Sequence, residues 1–324
     1  MFKKNDTLLL QRTYISNLAR IAQPHISPVT LGQVSVELSS VHLPSLASSE
    51  NGYQNIKALS QNIDKLIKSL HMAHHLPWVN GSMNLMLHPK LFLCIELAKR
   101  YVLVEQNLFY GTDPIKASWF IREYQDSQHT HYFNELKKTW EHTLKLSEQE
   151  LSHSLKLVNK VANGFALHEF ISIIDSSPIN SLHLNEFIED VKNGFIVNMK
   201  EDELLAIFLK KEPLPNRQMR LRFIILLKRD FLDSPAHLTD LSSFEKIKLS
   251  VEQTHSYQIL YDPSLLNGYM QSNLFHKKTQ SFKEQIKQLR VYLTGTDALY
   301  RIGCVEPTFS VLYTKVKVQS LEGV

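Results

Sequence analysis

Histidine and glutamate side chains between residues 119 and 175 are the groups of this chain best suited to hold a metal ion. The candidate ligands are Glu123, His129, His131, Glu135, Glu150, His153 and His168. His131 and Glu135 are four residues apart and Glu150 and His153 are three apart, and both spacings place two side chains on one side of a helix. Helical bundles bind iron through histidines and carboxylates contributed by several helices. The pattern therefore raises the hypothesis of an iron- or haem-dependent, oxygen-using enzyme of helical-bundle type.

The direction of these side chains is the test of that hypothesis, because ligands in a bundle point into the core. A first helix is predicted over residues 130–145. At about 100° per residue, its His131 and Glu135 lie on the side opposite Phe133 and Trp140. We therefore expect the polar stripe to face solvent, which makes a metal site the less favoured interpretation.

A second helix is predicted over residues 148–163. Ser147 and Glu150 have the spacing of a capping box, in which a serine and a glutamate satisfy the first backbone N–H groups of a helix. Capping then explains Glu150 without a metal. His153 points away from Leu151 and so away from the apolar side of this helix.

A haem would require only one axial histidine in an apolar pocket. The chain has 15 histidines, and no pattern selects one of them. The best placed are His74, His75 and His88, which flank the most apolar predicted helix, residues 89–109. Iron or haem is accordingly expected only under the enzyme hypothesis.

Basic residues bracket a second apolar run, Phe223 to Leu227. They are Arg217, Arg220, Arg222, Lys228 and Arg229. Such a cluster could contact the phosphates of a nucleic acid, which gives a second alternative function. Charges at the two ends of a buried strand are more commonly its solvated ends, and we favour that interpretation.

Sequence motifs of the common enzyme classes are missing. The chain contains no Gly-x-Ser-x-Gly elbow, phosphate-binding loop or His-Glu-x-x-His helix. Cys94 lies within an apolar helical run, so we interpret it as a core residue and not as a nucleophile. Catalytic residues are therefore not identified, and whether the chain is an enzyme is left open.

Composition favours an intracellular globular protein. Of 324 residues 43% are hydrophobic, and the formal net charge is only +4, which does not by itself indicate nucleic-acid binding. Two cysteines cannot form a disulfide framework, which is typical of a reducing compartment. The apolar segment near Leu8 is too short for a signal peptide, and no run is long enough for a membrane span. We predict a cytoplasmic location.

The predicted fold is mainly α within the α+β class, with a multi-helix, bundle-like core. Few glycines argue against glycine-rich nucleotide folds. Small β elements are predicted near residues 33–39, 220–228 and 308–318, and helices are predicted over residues 56–70 and 201–211. A break at Pro213 divides the chain into a helical part, residues 1–212, and a smaller α+β part, residues 213–324, which could also form one continuous domain.

The predicted function is a non-catalytic protein-interaction or adaptor role within a larger assembly. It is supported by the missing catalytic motifs and by mixed polar and aromatic segments, such as Tyr124 to Phe133, that are suited to packing on a partner. The expected partner is another protein or a second copy of the chain. Nucleic acid is the less favoured partner.

Overall fold

The computed structural model describes residues 85–101, 114–175, 181–200, 202–214, 218–229, 241–263, 270, 272–298, 300–302 and 308–315. The predicted strand at 33–39, the predicted helix at 56–70, and His74, His75 and Arg217 lie outside these residues.

The described chain contains six helices and eight strands. In chain order they are β1 (Leu85–Leu87), α1 (Pro89–Arg100), α2 (Pro114–Gln128), α3 (His131–Val161), β2 (Gly164–Asp175), α4 (Ser181–Asn198), β3 (Leu204–Leu214), β4 (Gln218–Lys228), α5 (Leu241–Thr254), β5 (Leu260–Tyr261), β6 (Leu274–His276), α6 (Phe282–Thr294), β7 (Tyr300–Ile302) and β8 (Phe309–Thr314).

The chain divides into two compact units. Unit 1 comprises residues 1–143 and 298–305, and unit 2 comprises residues 144–297 and 306–324. Pro213, where a boundary was predicted, lies near the end of β3 and pairs with Met219 of β4 inside unit 2.

In unit 1, β1 pairs with β7 in a two-stranded antiparallel sheet, and α1 packs against α2. Pro89 occupies the first turn of α1, where its missing N–H leaves no bond unmade. The His88 side chain caps the same turn, because its Nδ1 accepts the Lys90 N–H at 3.2 Å. Cys94 and Leu97 of α1 are buried, as the sequence predicts for Cys94.

Unit 2 is built on a six-stranded antiparallel sheet with the order β5-β2-β4-β3-β8, in which β6 also pairs with β2. Strands β2, β4 and β3 form its centre over 11 or 12 residues each. A bundle-like core is therefore wrong for this part of the chain. The β elements predicted near 220–228 and 308–318 exist as β4 and β8, but they belong to one extended sheet.

The helix predicted over residues 201–211 is also wrong, because this segment forms β3. Its residues Leu204 to Leu209 are buried without exception. A strand covered on both faces has no alternation of polar and apolar residues, so its sequence resembles that of a buried helix. Lys210, near the end of the predicted helix, is buried in the sheet.

Helices cover both faces of the sheet. On one face, Tyr292 of α6 bonds to Glu169 of β2, and Ser154 in the second half of α3 bonds to Thr314 of β8. On the other face, the ring of Phe170 in β2 lies 5.0 Å from Phe195 of α4 and 4.6 Å from Phe244 of α5, centroid to centroid. Unit 2 is therefore a three-layer arrangement of helices, sheet and helices.

The two helices predicted over residues 130–145 and 148–163 are one continuous helix, α3. Ser147 is buried in the middle of it, and the Glu150 carboxylate accepts the backbone N–H of Val311 in β8. Trp140, the half-buried Leu144, Ser147 and Leu151 follow one another at helical spacing on the buried side, which favours continuation over a new start. The capping explanation of Glu150 is accordingly wrong.

None of the described helices is both long enough and apolar enough to span a lipid bilayer.

Candidate functional site

Six polar side chains form a buried charge network on the face of the sheet beneath α6. They are Glu169, Lys210, Glu212, Arg220, Arg222 and Tyr292. The antiparallel register pairs Lys210 with Arg222 and Glu212 with Arg220, so these four side chains share one face. Glu169 reaches the same face from β2, and Tyr292 closes the network from the helix above.

Arg222 is the centre of this network. Its Nε donates to Glu169 Oε1 and its Nη1 donates to Glu212 Oε1 at 2.7 Å. Its guanidinium also stacks over the Tyr292 ring, 4.5 Å from the centroid. One cation thus joins two carboxylates that would otherwise repel each other in a medium of low dielectric constant.

The remaining groups complete the network. Arg220 donates to Glu212 Oε2 through Nε at 3.0 Å and Nη2 at 2.6 Å. Lys210 Nζ donates to the Tyr292 carbonyl oxygen at 2.7 Å, and the Tyr292 hydroxyl donates to Glu169 Oε2 at 2.8 Å. The buried charges are therefore paired, as the low dielectric requires.

Burial and pairing shift the pKa values of these groups in different directions. Burial opposes the charge of Glu212, but Arg222, Arg220 and Lys210 outweigh it and lower its pKa to about 2. Burial raises the pKa of Glu169 despite the opposing charge of Arg222. Burial lowers the pKa of Lys210 to about 8, against the influence of Glu212.

A lysine with a lowered pKa beside a tyrosine and a carboxylate has the residue types of an acid–base or nucleophilic site. Glu169, Lys210 and Arg222 are each 0% exposed, however, and a substrate must touch the group that acts on it. Glu169, Lys210 and Arg222 are therefore out of reach of a substrate in this structure.

The candidate metal ligands on α2 and α3 are dispersed. Glu123 accepts a hydrogen bond from Arg100, and Glu135 pairs with Lys138 at 2.9 Å. His129, His131 and His153 are exposed. Their predicted orientation toward solvent is confirmed for His131, Glu135 and His153, because Phe133 and Trp140 occupy the buried side of α3. Within the described ranges, no group of three or more His, Cys, Asp or Glu side chains could hold a metal ion.

His168 differs from the other candidates because it is fully buried. It lies on β2, on the face opposite the charge network, with the Tyr261 ring centroid 6.1 Å from its own. Neither ring nitrogen has a hydrogen-bond partner in the described part of the chain. Burial, and secondarily the charge of Arg229, lowers the pKa of His168 to about 4, so the ring is neutral near pH 7.

His88, a candidate haem ligand, caps α1 as described above and packs edge-on against Trp140 at 5.7 Å. The basic segment has a different role from the expected one. Arg220 and Arg222 belong to the buried network and are not the solvated ends of a strand, whereas Lys228 and Arg229 are partly exposed.

Unit 1 exposes large apolar side chains at regular helical spacing. On α2, the buried side consists of Phe120, Ile121 and Tyr124, while Ile115 and Trp119 lie on the opposite side, exposed by 58% and 51%. Arg122 follows one turn later and is also exposed. We call Ile115, Trp119 and Arg122 the outer face of α2.

The start of α3 adds two further exposed apolar residues. Tyr132 and Leu136, four residues apart, are exposed by 75% and 40%. The segment Tyr124 to Phe133, predicted from its composition to contact a partner, is thus mixed: Tyr124 and Phe133 are buried, and Tyr132 is exposed.

Sequence reasoning missed Lys210 because the predicted helix over residues 201–211 included it, and it missed Glu212 because this residue lay between that helix and the predicted break at Pro213. The alternation of Arg220 and Arg222 in β4 was the available signal, since two cations on one face of a buried strand require carboxylates opposite them. It also missed the outer face of α2, although the spacing of Ile115, Trp119 and Arg122 opposite Phe120 and Tyr124 was readable.

Comparison of the chain with protein-family models, with curated proteins and with solved structures found no match.

Proposed function

We propose that this protein has a non-catalytic role in which the outer face of α2 docks onto another protein. The observation that carries the proposal is the exposure of Trp119 and Ile115 on one side of a helix whose other side is already buried. Transfer of a large apolar side chain out of water lowers the free energy. An exposed tryptophan on a helix can therefore still contribute this free energy when a partner covers it.

The residue types also fit a binding surface. Tryptophan, tyrosine and arginine are the residues most enriched among those that dominate binding energy. Trp119 and Ile115 are four residues apart, with Arg122 in the next turn, which is the spacing of a helix that lies in an apolar groove. The expected partner therefore presents an apolar groove with a carboxylate at its edge to pair with Arg122.

The polar chemistry of unit 2 supports the same proposal. Its most concentrated set of ionisable groups is the buried charge network, and those groups are engaged with one another.

The proposed setting is the cytoplasm, on the ground of the low cysteine content.

Affinity capture with three matched baits tests this function. The baits are the wild type, the double variant Ile115→Ser/Trp119→Ala, and a control, Ile196→Ser/Val197→Ala, which alters two exposed apolar residues of α4. We expect one partner to be recovered in stoichiometric amount by the wild type and the control, and to be reduced at least about tenfold with the double variant. Equal recovery by all three baits, or no stable partner, would contradict the proposal.

Light scattering on the purified protein identifies the case in which the partner is a second copy of the chain. A dimer mass for the wild type and the control, with a monomer mass for Ile115→Ser/Trp119→Ala, assigns the outer face of α2 to self-association. If all three proteins have the same mass, the outer face of α2 is not used for self-association, and the partner is a different protein.

A further inference from the structure

The helical layer formed by α6 and the second half of α3 carries an excess of basic side chains. Residues 144–161 and 277–294 contain eight lysines and arginines but three glutamates. The cations are Lys145, Lys156, Lys160, Lys277, Lys278, Lys283, Lys287 and Arg290, and all eight are exposed.

The helices on the opposite face of the sheet have the reverse balance. Together α4 and α5 carry five acidic and three basic side chains. The small net charge of the whole chain therefore conceals a separation of charge across unit 2. Such a separation produces a field of one sign on one side of the molecule, which is a requirement for attracting a polyanion.

The basic residues of the two helices form one surface. Lys277, in the turn before α6, donates to the Asn159 carbonyl oxygen of α3. At the other end of the helix pair, the positive charge of Arg290 acts on Glu148. The two helices thus run side by side in opposite directions, and their exposed cations lie on the same side of the sheet.

The spacing within α6 suits a regular array of phosphates. Lys283, Lys287 and Arg290 are separated by four and three residues, so they form one stripe along the helix. Seven residues at a rise of about 1.5 Å span roughly 10 Å. That length corresponds to about three phosphates of one strand at 3.4 Å per base pair.

The exposed side chains of this layer indicate which class of partner it suits: a membrane, a protein or a nucleic acid. An amphipathic helix that lies on a membrane inserts aromatic or aliphatic side chains between the lipids. In the described part of α6 no large apolar side chain is exposed, and residues 144–161 expose Leu146 alone. A protein interface would likewise need an apolar or aromatic anchor. Exposed lysines among glutamine, asparagine and serine instead favour a partner that is bound by electrostatic attraction alone.

We propose that the surface formed by Lys156, Lys160, Lys277, Lys278, Lys283, Lys287 and Arg290 binds the phosphate backbone of a double-stranded nucleic acid, without reading its sequence. We call it the α3–α6 basic surface. It is separate in residues and chemistry from the outer face of α2, and it differs from the basic segment around β4, whose two arginines are buried.

Fluorescence anisotropy with a labelled 20-base-pair DNA duplex tests this binding. We expect the wild type to bind, with an affinity that falls steeply between 50 and 200 mM salt because condensed counterions are released on binding. The variant Lys156→Gln/Lys160→Gln/Lys283→Gln/Lys287→Gln is expected to bind at least about tenfold more weakly at low salt. Its slope of log affinity against log salt should be shallower by about two or more.

The matched control removes four cations elsewhere in unit 2, as Lys192→Gln/Lys200→Gln/Lys246→Gln/Lys248→Gln. It has the same net charge as the first variant and should bind within about twofold of the wild type. Circular dichroism checks the fold of both, and the smaller variant Lys283→Gln/Lys287→Gln serves if the quadruple variant is misfolded.

The proposal would be overturned if the wild type did not bind the duplex, whether or not it bound phosphatidylserine vesicles. It would also be overturned if the control variant weakened binding as much as the first variant. A change of duplex sequence should leave the affinity unchanged within about twofold, and a large preference would contradict recognition through phosphates alone.

Discussion

Arg222 holds two carboxylates together in the interior of the sheet, and neither carboxylate has access to water. An ion pair of this kind adds little net stability compared with a well-packed apolar pair. Removal of one partner is costly, because it leaves an uncompensated buried charge. We therefore expect the charge network to favour one strand register over others more than to add net stability.

Substitution of Arg222 by methionine should lower the free energy of unfolding by about 3–5 kcal/mol, since Glu169 and Glu212 lose their shared cation. Urea denaturation followed by circular dichroism measures the change. The control is Arg122→Met, which alters an exposed arginine and should cost less than about 0.5 kcal/mol. Similar losses for both variants would show that Arg222 is not the centre of the network.

His168 gives the protein a pH-dependent stability. Its pKa is about 4 in the folded protein and near 6.5 in the unfolded chain. Above pH 6.5 the ring is neutral in both states, and its contribution is complete. As the pH falls from 6.5 to about 4, the unfolded state binds the proton first, so the free energy of unfolding decreases by roughly 3 kcal/mol.

The variant His168→Leu lacks this titration and should lose less stability than the wild type over the same range. Chemical denaturation at intervals between pH 7 and pH 4 provides the comparison. A parallel loss of stability in the two proteins would show that His168 does not cause the pH dependence.

At the scale of the elements, β2 depends on a close approach of three chain segments at Gly164. A Cβ atom at this position would lie 2.5 Å from the Arg229 carbonyl oxygen and 2.8 Å from the Phe275 carbonyl oxygen. Backbone atoms cannot move aside as the end of a side chain can. We expect Gly164→Ala to destabilise the protein by about 1–3 kcal/mol through overpacking.

Gly194→Ala is the matched control for this prediction. Its added Cβ would meet a side-chain atom, Ile247 Cγ2, at 3.1 Å, and alanine also favours the helical backbone. The two effects oppose each other, so thermal unfolding should show a change of less than about 1 kcal/mol. A larger loss at Gly194 than at Gly164 would contradict the packing described for the start of β2.

Periodicity predicted some elements well and failed for others for identifiable reasons. The phase of α3 was predictable because Phe133 and Trp140 alternate with polar residues at helical spacing, and the exposure of His131 and Glu135 followed from it. β4 was recognisable as a β-branched and aromatic run with charged ends. β3 was not, because burial on both faces removes the alternation that identifies a strand.

The charge network could not be predicted from the sequence, since it depends on register. Arg220 and Arg222 find their partners in β3 and β2, which lie 8 to 53 residues away along the chain. Only the pairing of Lys210 with Arg222 and of Glu212 with Arg220 brings the charges together. With residues 201–211 assigned to a helix, the two arginines had no carboxylates opposite them and were interpreted as solvated.

At the scale of the whole molecule, each unit presents a surface of a different kind. Unit 1 has the exposed apolar outer face of α2, and unit 2 has the exposed α3–α6 basic surface. The groups of the charge network inside unit 2 are engaged with one another and buried. These two surfaces are the places at which we propose that the protein binds its partners.

Site-specific photo-crosslinking at position 119 tests whether the outer face of α2 contacts a partner protein. A photoreactive phenylalanine analogue replaces Trp119 in one protein and Val197, which is also exposed, in a control. If the outer face of α2 docks onto a partner, ultraviolet light produces a discrete protein adduct at position 119 and none of the same mass at position 197. A protein that forms no adduct at position 119, or the same adducts at both positions, would contradict this docking.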